Sequence, residues 1–171
     1  MTRLVLVLLG LSACVVAATD ATAAQPTTAV AGPQAFLAAA AVGGMAEVEL
    51  GQLAEDKASN DAVKAFGAQM VTDHGKANRD LQALAQQEKV ELPTKLDAKN
   101  TALRDRLAKL SGSAFDRAYM SAMVEDHEQD VAEFSAVAKS STDPGVKDFA
   151  ARTLPVLEGH LKMAKGVQSS L

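Results

Sequence analysis

Tryptophan is absent from this chain, and five phenylalanines and one tyrosine are its only aromatic residues. A core for 171 residues must therefore be filled mainly by alanine, leucine and valine, whose small side chains suit close helix–helix packing. Runs of β-branched residues and strand-like alternation are also scarce, which points to an all-α fold. Cysteine occurs once, at Cys14, so no disulfide can form within the chain. The 17 basic residues are dispersed and outnumbered by 21 acidic ones, so there is no basic face for nucleic acid. There is no nucleophile–base set and no phosphate-binding glycine loop, and no catalytic residue is assigned.

The one long apolar run lies at the N-terminus. Met1-Thr2-Arg3 is a short positive start, Leu4 to Ala18 is almost continuously apolar, and the small residues after it suit cleavage at Ala23 or Ala24. The run is about 15 residues, short of the roughly 20 that a spanning helix needs. Residues 1–24 thus read as an export signal and residues 25–33 as a linker to a helical domain over 34–168. A second reading stays open, because Leu11-Ser12-Ala13-Cys14 matches a bacterial lipobox. Lipidated Cys14 would anchor the protein to the outer membrane. The mature chain is expected in the periplasm, free or anchored.

Caps and breaks divide the rest. A first helix should start near Pro33 and run to about Ala58. Ser59-Asn60-Asp61 opens a second, which reaches about Lys89 before Glu91-Leu92-Pro93-Thr94 breaks it. A short helix covers about Asp97 to Leu110, a long one follows Ser111-Gly112-Ser113 to about Lys139, and the last runs from Asp143-Pro144 to about Val167. Pro155 lies inside that last helix and predicts a kink. Four long helices with a short one between the second and third long ones suit a ferritin-like four-helix bundle with a crossover helix. A crossover requires the second and fourth helices to run parallel, with Met70 and Met123 on one side of any central layer. Val63-Lys64-Ala65-Phe66 resembles Val146-Lys147-Asp148-Phe149, as in a duplicated hairpin.

The three histidines all fall on apolar helical stripes. At 100° per residue, His74 shares a face with Phe66, Met70 and Leu81, and His127 with Tyr119, Met123 and Phe134. His160 shares one with Phe149, Thr153, Val156, Met163 and Ala164. The first helix has no histidine, but Glu47 lies on its apolar face, whereas Glu49 points away. Glu47 and His74 lie at about 12 and 14 residues from the turn between their helices, and His127 and His160 at about 15 and 18 from theirs. Each antiparallel hairpin therefore brings two ligand-type residues to nearly one height. A buried carboxylate is costly unless paired or bound to metal, and three converging neutral rings satisfy each other poorly. Glu47, His74, His127 and His160 are thus the candidate metal ligands, and zinc, copper or iron would suit them. The set is not a standard di-iron centre, because Glu158 stands only two residues before His160.

Asp73 and Asp126, each preceding a histidine, are candidates to support a ligand from behind or line the rim. Asp130, one turn beyond His127, could add a ligand. Met70 and Met123 lie one turn before their histidines and could add a thioether for copper or simply fill the core. Asp116 is too far along its helix to share the ion.

Taken together, Phe36-Leu37 with Glu47, Met70-Val71-x-Asp73-His74, Phe115-Asp116-x-x-Tyr119 with Asp126-His127, and Leu154-Pro155-x-Leu157-x-x-His160-Leu161 resemble an exported bacterial family, domain of unknown function 4142. Its members are described as membrane or outer-membrane proteins. The resemblance spans about residues 34–167 and implies a ferritin-like bundle in the cell envelope, without supplying an activity. Three functions compete: a metal-binding bundle for metal handling or redox and stress protection, a metal-free structural or stress-response protein with a buried His/Glu hydrogen-bond network, and a binder of apolar ligands. Metal bound by protein purified without a His-tag separates the first from the others.

Overall fold

The helix ends follow the polar signals in the sequence. The computed structural model describes residues 32–171 and contains α1 (Pro33–Lys57), α2 (Asp61–Glu88), α3 (Ala98–Ala108), α4 (Gly112–Ser140) and α5 (Pro144–Ser169). Cys14, the export signal and most of the linker lie outside the described residues. Asn60, Asp97 and Asp143 accept hydrogen bonds from first-turn N–H groups of α2, α3 and α5 at 2.8, 2.7 and 2.9 Å. Ser111 precedes α4 without making such a bond. Pro33 and Pro144 occupy first turns, where a missing N–H breaks no helical bond. α5 continues through Pro155, which is exposed.

Apolar side chains form two clusters, one on each side of a polar layer. The first joins the C-terminal halves of α1 and α5 to the N-terminal halves of α2 and α4, through Leu50, Phe66, Met70, Tyr119, Met123 and Ala164. The second joins the opposite halves, through Phe36, Leu81, Phe134, Phe149 and Leu157. Met70 and Met123 thus share one side. α2 runs parallel to α4, α1 runs parallel to α5, and α1 packs on α2 and α4 on α5 as antiparallel hairpins. The chain leaves α2 at the second cluster and starts α4 at the first, so α3 carries it back along the bundle. This is the ferritin-like topology with a crossover.

α1 is long and apolar enough to cross a membrane, but its apolar residues are spent on this core. Small residues let α1 and α2 touch: a Cβ added to Gly67 would fall 2.7 Å from the Gly51 carbonyl oxygen. Asp116 of α4 clamps the α1–α2 turn, accepting from Ser59 N–H at 3.0 Å, the Ser59 hydroxyl at 2.5 Å and Asn60 N–H at 3.1 Å. α3 is held more lightly. Leu107 is its one buried side chain, and Arg104 pairs with Glu49 of α1 at 3.1 Å.

One expected face needs correction. Val156 and Met163 are 43 % and 40 % exposed. The buried stripe of α5 runs through Phe149, Ala150, Leu157, His160 and Ala164. Its centre is rotated toward Leu157, so His160 sits near one edge and its neighbours on the far flank reach solvent.

Candidate metal centre

Each of the four sequence-derived candidates lies between the two apolar clusters on its own helix, and the bundle brings all four into one layer. His127 is 0 % exposed, Glu47 2 %, His160 3 % and His74 5 %. Their contacts form a chain across the bundle. The Met123 carbonyl oxygen lies 3.0 Å from His127 Nδ1. His127 Nε2 faces Glu47 Oε1 at 3.4 Å, and Glu47 Oε2 lies 2.7 Å from His74 Nδ1. His74 Nε2 faces His160 Nδ1 at 3.3 Å, and His160 Nε2 lies 2.8 Å from Asp73 Oδ2.

Proton counting along that chain is informative. A carbonyl can only accept, so His127 Nδ1 carries hydrogen and, in the neutral ring, Nε2 carries a lone pair. Asp73 accepts from His160 Nε2–H, which leaves a lone pair on His160 Nδ1. An ionised Glu47 Oε2 accepts from His74 Nδ1–H, which leaves one on His74 Nε2. In that state all three imidazole protons point outward to oxygen. The 3.3 Å and 3.4 Å contacts then hold lone pairs on both sides. Glu47 Oε1 and His127 Nε2 are buried with no hydrogen-bond partner, a costly arrangement.

Burial disfavours extra protons on the rings. It pushes His74 down to about 4, against the pull of Asp130, Asp126 and Asp73. It pushes His127 to about 3, helped by the neighbouring His74 and His160. Burial also lowers His160, although its bond to Asp73 works the other way. The carboxyls move in the opposite sense. Burial, and then the Asp126 charge, hold Glu47 well above its usual range. Asp73 is only partly buried, which would raise it, but hydrogen bonds from Gln69 and His160 leave it lower than usual.

Two of the separations match those around a cation. In a tetrahedral site with bonds of about 2.0–2.1 Å, neighbouring ligand atoms lie about 3.3–3.4 Å apart. Those are the His74–His160 and Glu47–His127 separations. One ring nitrogen from each of His74, His127 and His160 lies within 4.8 Å of the other two. The Met123 carbonyl behind His127 and the Asp73 carboxylate behind His160 fix those tautomers, as is usual for metal-bound histidine, whereas His74 is held by Glu47, itself a candidate ligand.

The remaining candidates take different positions. Asp73 sits behind His160, on a helix other than its own. Asp126 is half-buried, and its carboxylate lies within 4.8 Å of ligand atoms of Glu47 and His127. Asp130 lines a cavity of about 60 Å³ beside Glu47 and His74, where burial and then the charges of Glu47 and Asp126 push its carboxyl up to about 9. Met70 and Met123 are fully buried in the first cluster, and Met123 reaches His127 through its backbone carbonyl. Asp116 lies at the far end of that cluster, at the α1–α2 turn.

Asn78 and Glu133, absent from the sequence-derived set, line the same cavity. Neither gave a sequence signal; Asn78 packs so close to Gly44 that a Cβ there would collide with its side chain. The Tyr119 hydroxyl is also buried without a partner.

The family model described as "Domain of unknown function (DUF4142)" matches residues 17–167. No curated protein matches the chain. Solved structures similar to this chain include the following two. One is a DUF305 fragment from Deinococcus radiodurans, 14% identical, with a TM-score of 0.72 over 81% of this chain and 96% of that one. The other, named as a candidate secreted DUF305 protein from Streptomyces coelicolor, is 15% identical, with a TM-score of 0.68 over 81% of this chain and 92% of that one. At these identities the likeness establishes the fold alone.

Proposed function

The chain belongs to the DUF4142 family, whose description assigns no activity, and from its geometry we propose that it binds one transition-metal ion through Glu47, His74, His127 and His160. The role would be metal handling or redox and stress protection in the cell envelope. The observation that carries this reading is the arrangement of ring nitrogens. One nitrogen of each imidazole lies against an oxygen of Met123, Glu47 or Asp73, and with Glu47 ionised the other nitrogens present lone pairs across two short contacts. Neutral imidazoles with ionised Glu47 and Asp73 leave two negative charges, which a divalent cation cancels. Zinc, copper and iron all accept such a ligand set. Bound metal would supply a Lewis acid or, for copper and iron, a redox couple. The chain's own part is to keep the rings neutral, fix their tautomers and exclude water.

Export is proposed from the leader at residues 1–24, with residues 25–33 as linker and 34–168 as the bundle. Cys14 would serve as an outer-membrane anchor if the lipobox is processed.

The metal-free hydrogen-bond network has its own support, since the Glu47–His74 and His160–Asp73 contacts, at 2.7 and 2.8 Å, are good hydrogen bonds. Elemental analysis of untagged protein from the envelope fraction separates the two. About one ion per chain is expected for wild type and none for His127→Ala. Wild type that holds no zinc, copper or iron, even after incubation with each and gel filtration, would leave only the network.

A further inference from the structure

His127 belongs to two ligand sets. Beside the three-histidine set, Glu47, Asp126 and His127 offer atoms within 4.8 Å of one another. Of the three buried side-chain atoms that lack partners among the described residues, two, Glu47 Oε1 and His127 Nε2, come from this second set, and the third is the Tyr119 hydroxyl. Its third member is the only one that reaches open space. Asp126 lines a cleft of about 740 Å³ between α3 and α4, with Lys99, Ala102 and Arg106 on the α3 wall. His127 Nδ1 is held by the Met123 carbonyl, so the ring has a single free nitrogen. The two sets therefore cannot be filled together.

Building on the metal-binding reading above, we propose that Glu47 Oε1, Asp126 and His127 Nε2 form a second, oxygen-rich cation station, through which a divalent cation passes between the α3–α4 cleft and the three-histidine station. His127 is common to both sets, and Glu47 borders the inner one through its contact with His74, so the ion can move inward without losing every ligand. The outer set, with two carboxylates and one imidazole, suits harder divalent cations such as manganese or ferrous iron, while the inner three nitrogens suit zinc or copper. α3 is suited to bordering such a passage. It buries only Leu107, and its Lys99 lines the cleft together with Asp126. The cavity on the α1–α4 side, lined by Asp130 and Glu133, is far smaller, at about 60 Å³.

Cobalt(II) uptake by the metal-free mature protein, followed by stopped-flow absorption, tests the proposal in wild type, Asp126→Asn and Ala102→Trp. Ala102 is exposed on α3, so the tryptophan fills the cleft without entering the bundle core. Both variants should slow uptake and release by about tenfold or more, with less than about threefold change in affinity. Wild type that takes up no cobalt would overturn the metal-binding reading itself. Wild-type rates in both variants would overturn the outer station and leave that reading standing. A loss of affinity in Asp126→Asn that matches its loss of uptake rate would make Asp126 a ligand of the resting ion and overturn the division into two stations. Slowing by Glu133→Gln with normal rates in Asp126→Asn would put the passage on the α1–α4 side and overturn the proposal.

Discussion

Glu47→Gln should make the metal-free protein more stable and the metal-loaded protein impossible to form. Glu47 is 2 % exposed, and its Oε1 faces the His127 Nε2 lone pair at 3.4 Å. A glutamine of the same shape can still accept from His74 Nδ1–H with its oxygen while its amide donates to His127 Nε2. Both buried orphans then gain partners, and the buried charge is gone. Satisfying buried polar atoms of this kind is worth about 1–3 kcal/mol, which at about 3 °C per kcal/mol raises Tm by about 3–9 °C. The gain should grow with pH, because burial holds the Glu47 carboxyl above its usual range and the wild-type group ionises as pH rises, while glutamine cannot. The assay is thermal unfolding at pH 8 in chelator and then in excess zinc or copper. Wild type should gain stability on adding metal, by about 2.7 kcal/mol at a hundredfold excess over Kd, and the variant should gain none. A variant that melts below wild type in chelator, or keeps the metal-dependent shift, would refute the reasoning.

Three other perturbations probe separate parts of the account. Asp73→Asn should leave the fold intact and weaken metal affinity by about 10–100-fold in a calorimetric titration, because the amide supports His160 less well than the carboxylate; unchanged affinity would remove Asp73 from the site. Asp130 keeps a proton in the fold up to about pH 9, whereas its unperturbed value is 3.8. The unfolded chain has released that proton, so metal-free stability should fall as pH rises from about 7.5 to 9, by up to about 1.4 kcal/mol per pH unit. The histidines, depressed in the fold and ordinary in the unfolded chain, are almost wholly neutral in both states over that window. Denaturant titrations across it should show the slope in wild type and a flatter one in Asp130→Asn; equal slopes would mean that Asp130 is not protonated there. Gly67→Ala, a change that favours an exposed helix by about 1 kcal/mol, should instead destabilise this one by about 1–3 kcal/mol, since its Cβ would meet the Gly51 carbonyl at 2.7 Å; a rise in Tm would contradict that packing.

Much of this arrangement is legible from helical periodicity. Glu47 and the three histidines are out of place among alanine, leucine and phenylalanine on faces that must be buried, and counting from the turns puts them at one height. The crossover is legible from the length of the segment between α2 and α4. What sequence spacing cannot give is rotation about each helix axis and partnership between helices. Val156 and Met163 sit within about 60° of His160 on a helical wheel, yet the burial stripe of α5 is turned away from them. Asp73 reads as a neighbour of His74, but it supports His160 across the α2–α5 interface. Asp116 reads as a carboxylate too far from the ion, and its work as the clamp on Ser59 and Asn60 depends on a contact 57 residues away in the chain. Asn78 and Glu133 became visible only once four helices enclosed the cavity beside Glu47.

X-ray absorption spectroscopy of the mature protein loaded with zinc or copper tests the central claim most directly. The account predicts one ion per chain with three imidazole nitrogens and one carboxylate oxygen at about 2.0–2.2 Å, and the loss of one nitrogen shell member or of the ion itself in His127→Ala. A spectrum dominated by water and carboxylate oxygen, unchanged by His127→Ala, would put the metal on the surface and contradict the account.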